Sequence, residues 1–407
     1  MVPMSTSRRA VACVVACALL LIVCQGALGR LLQGEPDAAV GIDPLNVDAR
    51  VAAITAALNQ NPTDAAVLAD LETEVRNAIT RDPVDARLRA LLGEAELRRD
   101  EPAMAETQFL AAHSISKTEK LALRRLIAAS LIKGQTAEAV RYIDLFVRRW
   151  RDQFQDAAAI LAPLLQDQAA YAELLTTLQS NPPWRGALVR SLATSDDGLS
   201  LANRLVLDLS TSNAPATQVE LRTVLSALVR AGEYQTAHRL FLFTLSDEDW
   251  NRAGLVFNAG FAPSTTSIPF EWVYRNTAAA YLESSSVTPQ DGMNVRFLDK
   301  PAREVELRQT LVLEPGRYRL KVNASGALLK APKGLFWRLR CLKPGKEITR
   351  LDVDEGTYRN KETAVEFSVA DCPAQSLELR SGLTIDSWLY RYSGRVTFHN
   401  VSIEQLP

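Results

Sequence analysis

Apolar residues change their spacing near residue 260 of this 407-residue chain, and that change excludes one uniform architecture. Between about residues 47 and 255 they recur every three or four positions, which is typical of amphipathic helices. Beyond Ala262 they alternate with polar residues in short runs, separated by turn signals such as Pro315-Gly316 and Pro344-Gly345. The sequence therefore predicts a multidomain chain that is helical first and β-stranded afterwards.

The helical region contains an internal repeat of 34 residues. Residues of the expected kind recur at this step, pairing Gly93 with Ile127, Asp100 with Gly134, Ala105 with Ala139, Phe109 with Ile143 and Ala112 with Phe146. The set returns later as Leu225, Gly232, Ala237 and Phe241, which leaves room for two degenerate units near residues 154–178 and 184–209. Each unit is predicted to be a helical hairpin that buries its apolar face only by stacking on its neighbours.

These positions resemble the tetratricopeptide repeat family, with small residues where helices approach closely and glycine at the turn between them. The resemblance implies an α-helical, tetratricopeptide-like solenoid whose concave surface holds a partner protein or peptide. Two alternatives stay open, a generic α-solenoid of different geometry and a spacer that only separates its two ends. A basic cluster is a candidate partner-binding patch, or else a solvated helix end, and it consists of Arg148, Arg149, Trp150 and Arg151.

The C-terminal region contains seven clear strand patterns and two further candidates. The clear ones are 293–298, 305–313, 318–322, 335–341, 364–369, 377–379 and 396–403, and the candidates are 270–274 and 278–282. Short strands divided by turns at this spacing predict an antiparallel β-sandwich. Cys341 ends one strand and Cys372 precedes another, so we expect a disulfide between them if the compartment is oxidising.

Several motifs of this region resemble a jelly-roll-like, carbohydrate-binding module that follows tetratricopeptide repeats in proteins of bacterial exopolysaccharide clusters. They are Pro269-Phe270-Glu271-Trp272, residues 313–318, 337–341 and 372–375, and the final strand 396–403. They cover roughly the last third of the chain and consist mostly of strand and turn residues, so they bear on fold more than on ligand. The resemblance implies a polysaccharide ligand or neighbour.

A sugar platform requires exposed aromatic faces, because the C–H faces of a pyranose stack on rings. Trp388, Tyr390 and Tyr392 alternate along one segment, so we expect them to point to one face of a strand. Asp386 and Arg391 flank these rings and are expected to bond sugar hydroxyls. On the alternative interpretation, the three rings form one layer of the core.

An uncharged apolar run, residues 10–29, follows Arg8 and Arg9. A helix of this length reaches about 30 Å, enough to cross a bilayer core, and the arginines place the N-terminus in the cytoplasm. Residues 1–33 are therefore expected to be a signal anchor in a bacterial inner membrane, or a signal peptide whose cleavage leaves a soluble periplasmic protein. In both cases the tether 34–46 and the rest of the chain would lie in the periplasm.

Composition and motifs argue against several functions. The net charge of −1 gives no electrostatic footprint for nucleic acid. The three histidines are scattered, and the sequence shows no metal-spaced cluster or phosphate loop, so no catalytic residue, metal or cofactor is expected. A glycan-active enzyme needs two carboxylates facing one cleft, which sequence alone cannot place, and this is the less favoured alternative.

Together these features predict a non-enzymatic periplasmic scaffold for exopolysaccharide assembly or export, in which the polysaccharide part rests on the resemblance. Beyond the leader and tether, the expected domains are helical repeats over 47–260 and a jelly-roll-like sandwich over 261–407. The repeats would dock envelope proteins of a polysaccharide system, while the sandwich would dock glycan or protein. A carbohydrate-binding module on a helical spacer, without a protein partner, is the alternative.

Overall fold

The structure is a computed structural model, and it describes residues 6–32, 34–60, 64–195, 197–263, 268–285 and 292–407. Helices come first and antiparallel strands second, as the change in apolar spacing predicts. The chain divides into two compact units, Met1–Leu178 with Pro182–Trp184, and Gln179–Asn181 with Arg185–Pro407. The helices from Arg185 onward therefore belong to the same unit as the sandwich.

The first unit is helical throughout its described residues. Its helices are α1 (Thr6–Leu31), α2 (Pro36–Ile42), α3 (Val47–Gln60), α4 (Ala65–Arg81), α5 (Ala86–Arg98), α6 (Pro102–Ile115), α7 (Lys120–Ile132), α8 (Thr136–Arg149), α9 (Phe154–Leu164) and α10 (Gln168–Gln179). A short 3-10 helix, Arg151–Gln153, joins α8 to α9. None of the helices in the described ranges combines the length and the apolarity that crossing a membrane requires.

The helices of this unit follow the predicted 34-residue step, because α5, α7 and α9 begin at Ala86, Lys120 and Phe154. Close packing within the α5–α6 hairpin depends on Gly93, where an added Cβ would lie 2.8 Å from the Cε1 atom of Phe109. At the ends of α5 and α7, Asp100 and Gly134 have φ angles of 63° and 69°. These equivalent residues adopt the left-handed conformation that commonly terminates a helix.

Within its described residues, the second unit begins with α11 (Arg185–Thr194), α12 (Leu199–Ser210), α13 (Gln218–Ala231), α14 (Tyr234–Phe243) and α15 (Asp247–Trp250). Arg185 on α11 donates to the two carboxylate oxygens of Glu220 on α13, at 3.0 and 2.9 Å, and both side chains are buried. Glu220 also accepts from the main-chain N–H of Thr217, which completes a capping box. The Glu220 carboxylate therefore caps the N-terminus of α13 and also links α13 to α11.

The sandwich of the second unit has two antiparallel sheets. Its strands are β1 (Val273–Arg275), β2 (Ala280–Ser285), β3 (Gly292–Pro301), β4 (Glu306–Leu311), β5 (Gly316–Lys330), β6 (Leu335–Cys341), β7 (Glu347–Val353), β8 (Gly356–Val369), β9 (Gln375–Ser381) and β10 (Arg391–Gln405). Sheet A has the order β1-β4-β9-β6-β7 and sheet B the order β2-β3-β10-β5-β8. From β3 to β10 the chain passes between the sheets in the strand order of a jelly roll.

The sandwich core lies between the inward faces of the two sheets. Trp337 of sheet A and Phe398 of sheet B are fully buried, and their ring centroids are 5.1 Å apart. Strand β7 has no counterpart among the strand patterns of the sequence, because only Leu351 of its seven residues is buried. An edge strand with one buried residue gives little alternation to detect.

A connecting segment joins the helices of the second unit to sheet A. The Gln309 side chain of β4 accepts from the N–H of Phe257 at 3.1 Å and donates to its carbonyl at 2.8 Å. Phe241 of α14 packs against Phe257 and Phe270, with ring centroids 5.1 and 5.6 Å apart. These buried contacts hold α14 beside the sheet.

A disulfide closes one end of sheet A. It joins Cys341, the last residue of β6, to Cys372, which precedes the adjacent strand β9, and the two Cα atoms lie 5.7 Å apart. Cys341 is paired in register with Gln375, so the two cysteines meet across neighbouring strands.

Candidate functional site

The three rings proposed as a sugar platform do not share one face, and this sequence expectation was wrong in its geometry. Trp388 is 69% exposed, whereas Tyr392 is fully buried and donates from its hydroxyl to the Gly334 carbonyl at 3.0 Å. Tyr390 is partly buried against the core, and the Lys333 ammonium lies 3.9 Å from its ring centroid. Strand β10 begins only at Arg391, so strand alternation does not govern the residues before it.

The polar residues expected beside these rings do not complete a site either. Arg391 forms an ion pair with Asp299 at 2.9 Å, and Asp386 lies in the exposed loop before β10. Trp388 remains the one exposed ring of the three, in a loop that also exposes Ile385 and Leu389.

The basic cluster at the end of α8 is engaged by its own surroundings. Arg148 pairs with Asp144 at 2.8 Å, one turn earlier on the same helix. Arg149 and Lys120 both lie against the Trp150 ring, at 4.6 and 5.1 Å from its centroid. Arg151, the fourth member of the cluster, begins the 3-10 helix that follows.

Trp150 also borders a cleft at the turns between successive hairpins, which we call the Trp150 cleft. Its volume is about 660 Å³, and its lining includes Val84, Ile115 and Lys120. Val84 and Ile115 are aliphatic side chains that are 74% and 40% exposed. The cleft therefore presents apolar surface next to an aromatic ring. Its lining also includes Asp82, Asp85, Arg87 and Glu119.

A different cluster of cations occupies the outer face of sheet A. Glu378 of β9 stands between Arg308 of β4 and Arg338 of β6, which are its register partners on either side. Arg338 and Arg340 each donate to the Glu378 carboxylate at 2.8 Å, and so does the Ser376 hydroxyl. Burial opposes ionisation of Glu378, but these hydrogen bonds outweigh it and hold the pKa of the carboxyl below its usual value.

Arg338 and Arg340 each form an ion pair with Glu378, whereas the third neighbouring arginine does not. Arg308 is exposed and has no ion-pair partner among the residues that the structure describes. An unpaired guanidinium retains its five N–H donors for a ligand.

Helices α11 and α13 border this face of sheet A and create a groove, which we call the arginine groove. Its volume is about 720 Å³, and its charged lining consists of Arg190, Arg222, Arg230, Arg308, Arg340 and Glu271. Glu271 is buried. Arg190 and Arg222 resemble Arg308 in having no ion pair within the described part of the chain. The hydroxyls of Thr310 and Ser226 add neutral hydrogen-bonding groups.

The charged lining of the groove is predominantly cationic. Guanidinium groups and hydroxyls can orient and bind an oxygen-rich ligand, but its lining contains neither a histidine nor a cysteine within the described residues. In the described ranges, no group of three or more His, Cys, Asp or Glu side chains is placed to hold a metal ion.

Sequence reasoning missed this groove, although one signal was present. The alternation in Trp337-Arg338-Leu339-Arg340 indicates a strand with two arginines on its outer face. Nothing in the sequence indicates that Arg222, on a helix, faces the same groove as Arg308 on a strand.

No protein-family model matches the chain, and no curated protein matches it. Among solved structures, one described as a CBM4 has 11% identity and a TM-score of 0.30, covering 37% of this chain and 99% of its own. A putative sugar-binding protein from Bacteroides thetaiotaomicron has 12% identity and a TM-score of 0.28, covering 38% and 100%. The carbohydrate-binding module CBM6cm-2 from Cellvibrio mixtus lichenase 5A, solved with cellotriose, has 9% identity and a TM-score of 0.22, covering 33% and 92%. Likenesses at these TM-scores decide neither the fold nor the ligand of this chain.

Proposed function

We propose that this protein is a non-enzymatic scaffold that holds a polysaccharide in the arginine groove and a protein partner on its helical repeats. The observation that carries the proposal is a pair of exposed arginines, Arg222 and Arg308, that line one groove without ion-pair partners in the described residues. Exposed, unpaired donors at a concave surface are available to a ligand, whereas paired ones are not.

The chemistry of the groove floor favours a glycan over an extended peptide. Strands β4 and β9 are interior strands of sheet A, so their main-chain groups are used by neighbouring strands. The sheet edge in the groove is the strand β1, whose Val273 lines it, and β1 has only three residues, so it offers an extended peptide few main-chain partners. Side-chain donors and hydroxyls are what remains, and they match the hydroxyl-rich surface of a sugar chain.

The helical repeats supply the second half of the proposal. Their 34-residue step and glycine-dependent packing support a solenoid of the tetratricopeptide type, which characteristically binds proteins or peptides. We place the partner at the Trp150 cleft and take it to be an envelope protein of a polysaccharide assembly or export system. The N-terminal segment would carry the protein to the periplasm, either as an inner-membrane anchor or as a cleaved signal.

The glycan half is tested by affinity electrophoresis of the full chain through gels that contain envelope polysaccharide of the source organism. The double variant Arg222→Ala/Arg308→Ala should migrate freely where the wild type is retarded. Arg359→Ala/Arg395→Ala is the matched control, because both residues are exposed on sheet B and the change in charge is the same. Equal retardation of the wild type and the groove variant would remove the groove from the proposal.

The partner half is tested by co-purification from envelope extracts with the full chain. Val84→Glu/Ile115→Glu should lose a partner that the wild type retains, because the two changes put charge into the Trp150 cleft. Ile132→Glu is the control, since Ile132 is 87% exposed and does not line the cleft. If no partner depends on the cleft, a carbohydrate-binding module on a helical spacer becomes the better description.

A further inference from the structure

We infer that the polysaccharide of the arginine groove is anionic and that its carboxylates are the groups the groove selects; this inference rests on the proposed function. The charge of the groove differs from that of the chain. The whole sequence balances 46 Lys+Arg against 47 Asp+Glu, while the groove lining contains five arginines and one carboxylate. A local cationic surface on a near-neutral protein attracts and orients anions.

The arginines come from two sides, which suits a carboxylate lodged between them. Arg308 and Arg340 rise from the sheet, while Arg190, Arg222 and Arg230 belong to α11 and α13. The Arg185–Glu220 pair and the capping box fix α11 against α13, so the helical side of the groove is preorganised. Guanidinium groups bind carboxylates through two parallel hydrogen bonds, with charge as well as geometry contributing.

The aromatic content of the groove disfavours a neutral glycan. Among the described lining residues the one aromatic side chain is Phe270, and only 3% of it is exposed because it packs against Phe241. A neutral sugar chain depends largely on stacking against exposed rings, and this surface has none to offer within the described residues. Charge is therefore the strongest source of affinity that the lining offers, and the hydroxyls of Thr310 and Ser226 add neutral hydrogen bonds.

An acidic peptide would also carry carboxylates, but the groove offers little of the other surface by which peptides bind. Peptides usually bind through a strand edge or through apolar anchors. The only sheet edge among the described lining residues is the three-residue strand β1, and its Val273, 41% exposed, is the most prominent apolar side chain of the lining. The observations therefore favour an acidic sugar chain.

The test uses the full chain and a pair of polymers that differ in charge alone, polygalacturonate and the same polymer after full methyl esterification. We expect polygalacturonate to bind at least about tenfold more tightly, because esterification removes the charge-assisted hydrogen bonds. Raising salt from about 50 to about 200 mM should weaken the binding of polygalacturonate and leave that of the ester nearly unchanged.

Variants then locate the binding. Arg222→Ala/Arg308→Ala should weaken polygalacturonate binding by about tenfold or more, while Arg359→Ala/Arg395→Ala should not. Arg308→Lys should recover part of the loss seen in Arg308→Ala, because it restores the charge without the planar fork. Thermal melting of each variant verifies that the second unit is folded.

The outcomes separate the two proposals. Equal binding of the charged and esterified polymers overturns the anionic inference and leaves a glycan groove standing. Polyglutamate that binds as tightly as polygalacturonate, with the same dependence on Arg222 and Arg308, overturns it in favour of an acidic peptide. A wild type that binds neither polymer but retains envelope polysaccharide also overturns it, and one that retains no glycan removes the proposed function as well.

Discussion

Two regions of the molecule concentrate cations, and they differ in what those cations contact. At the end of α8, Arg148 is paired with Asp144, while Arg149 and Lys120 lie against the Trp150 ring. In the arginine groove, Arg222 and Arg308 have no ion-pair partner among the described residues. The first region is conspicuous in the sequence and largely satisfied in the structure, whereas the second is inconspicuous and open.

The difference shows why a run of basic residues is a poor guide to a binding surface. Neighbours on one helix end find an acid or a ring within a turn, and that contact uses their charge locally. Arg308 lies opposite Glu378 in register, but the ion pairs of that carboxylate are with Arg338 and Arg340. Whether an arginine is available to a ligand depends on whether the acidic groups around it pair with it or with other arginines.

The largest expected effect contrasts two arginines of α11. Arg185→Ala should cost about 3–5 kcal/mol of unfolding free energy in the second unit, because it leaves Glu220 buried without its cation. Arg190→Ala, an exposed change on the same helix, should cost less than about 0.5 kcal/mol. Urea unfolding measures both, and hydrogen exchange in α11 and α13 localises the effect. Similar costs for the two variants would contradict the distinction between engaged and open arginines.

The next effect concerns Glu378, whose pKa is lowered from the ordinary value of 4.5. A lowered pKa means that the ion pairs stabilise the folded state above about pH 4.5 and that this stabilisation is lost as the pH falls. Glu378→Gln should therefore cost about 2 kcal/mol at pH 7 and progressively less in acid.

The same variant sharpens the comparison of the two regions. Because it releases Arg338 and Arg340, Glu378→Gln should increase retention on polygalacturonate while lowering stability. Denaturation at pH 7 and pH 4 measures the first effect, and affinity electrophoresis at pH 7 measures the second. A variant that loses both stability and retention would show that Glu378 serves the groove by holding its arginines in place rather than by limiting their number.

A smaller effect is expected at Trp150. Trp150→Ala removes two cation–π contacts and the hydrogen bond from the indole N–H to the Thr118 carbonyl at 3.4 Å. We expect a loss of about 1–2 kcal/mol in the first unit, with no change in retention on polygalacturonate. Urea unfolding and affinity electrophoresis of one preparation measure both quantities. Reduced glycan retention would contradict the assignment of the two cation regions to different ligands.

The smallest effect on stability is expected at Arg308. Arg308→Ala should change the free energy of unfolding of the second unit by less than about 0.5 kcal/mol, since the side chain is exposed and unpaired among the described residues. Differential scanning calorimetry against Arg359→Ala provides the comparison. A loss as large as that for Trp150→Ala would mean that Arg308 is engaged within the fold and would break the contrast.

The architecture followed from local patterns, but the candidate site did not. Period and turn residues indicate the switch from helices to strands, and the equivalence of Asp100 with Gly134 appears in their shared backbone conformation. Those features depend on residues near one another in the chain. The arginine groove depends on the packing of α13 near β4 and on which arginines form ion pairs with Glu378. Neither feature is determined by residues close together in the sequence.

The ring platform failed for a related reason. Alternation predicts a shared face only inside a strand, and the start of β10 at Arg391 leaves Trp388 and Tyr390 in the loop before it. Tyr392 alone obeys the strand, and its parity places it in the core beside Phe297, with ring centroids 5.5 Å apart. Element boundaries are where sequence patterns are least informative.

The alternation along β9 has a consequence for how this domain can vary in length. Leu377 and Leu379 point into the sandwich, while Glu378 between them points to the arginines. Gain or loss of one residue within the strand would exchange its two sides, putting a carboxylate among apolar side chains and leucines against guanidinium groups. Related proteins that differ in length here should therefore carry their insertions in the turns flanking β9, while the length and the register of the strand itself stay the same.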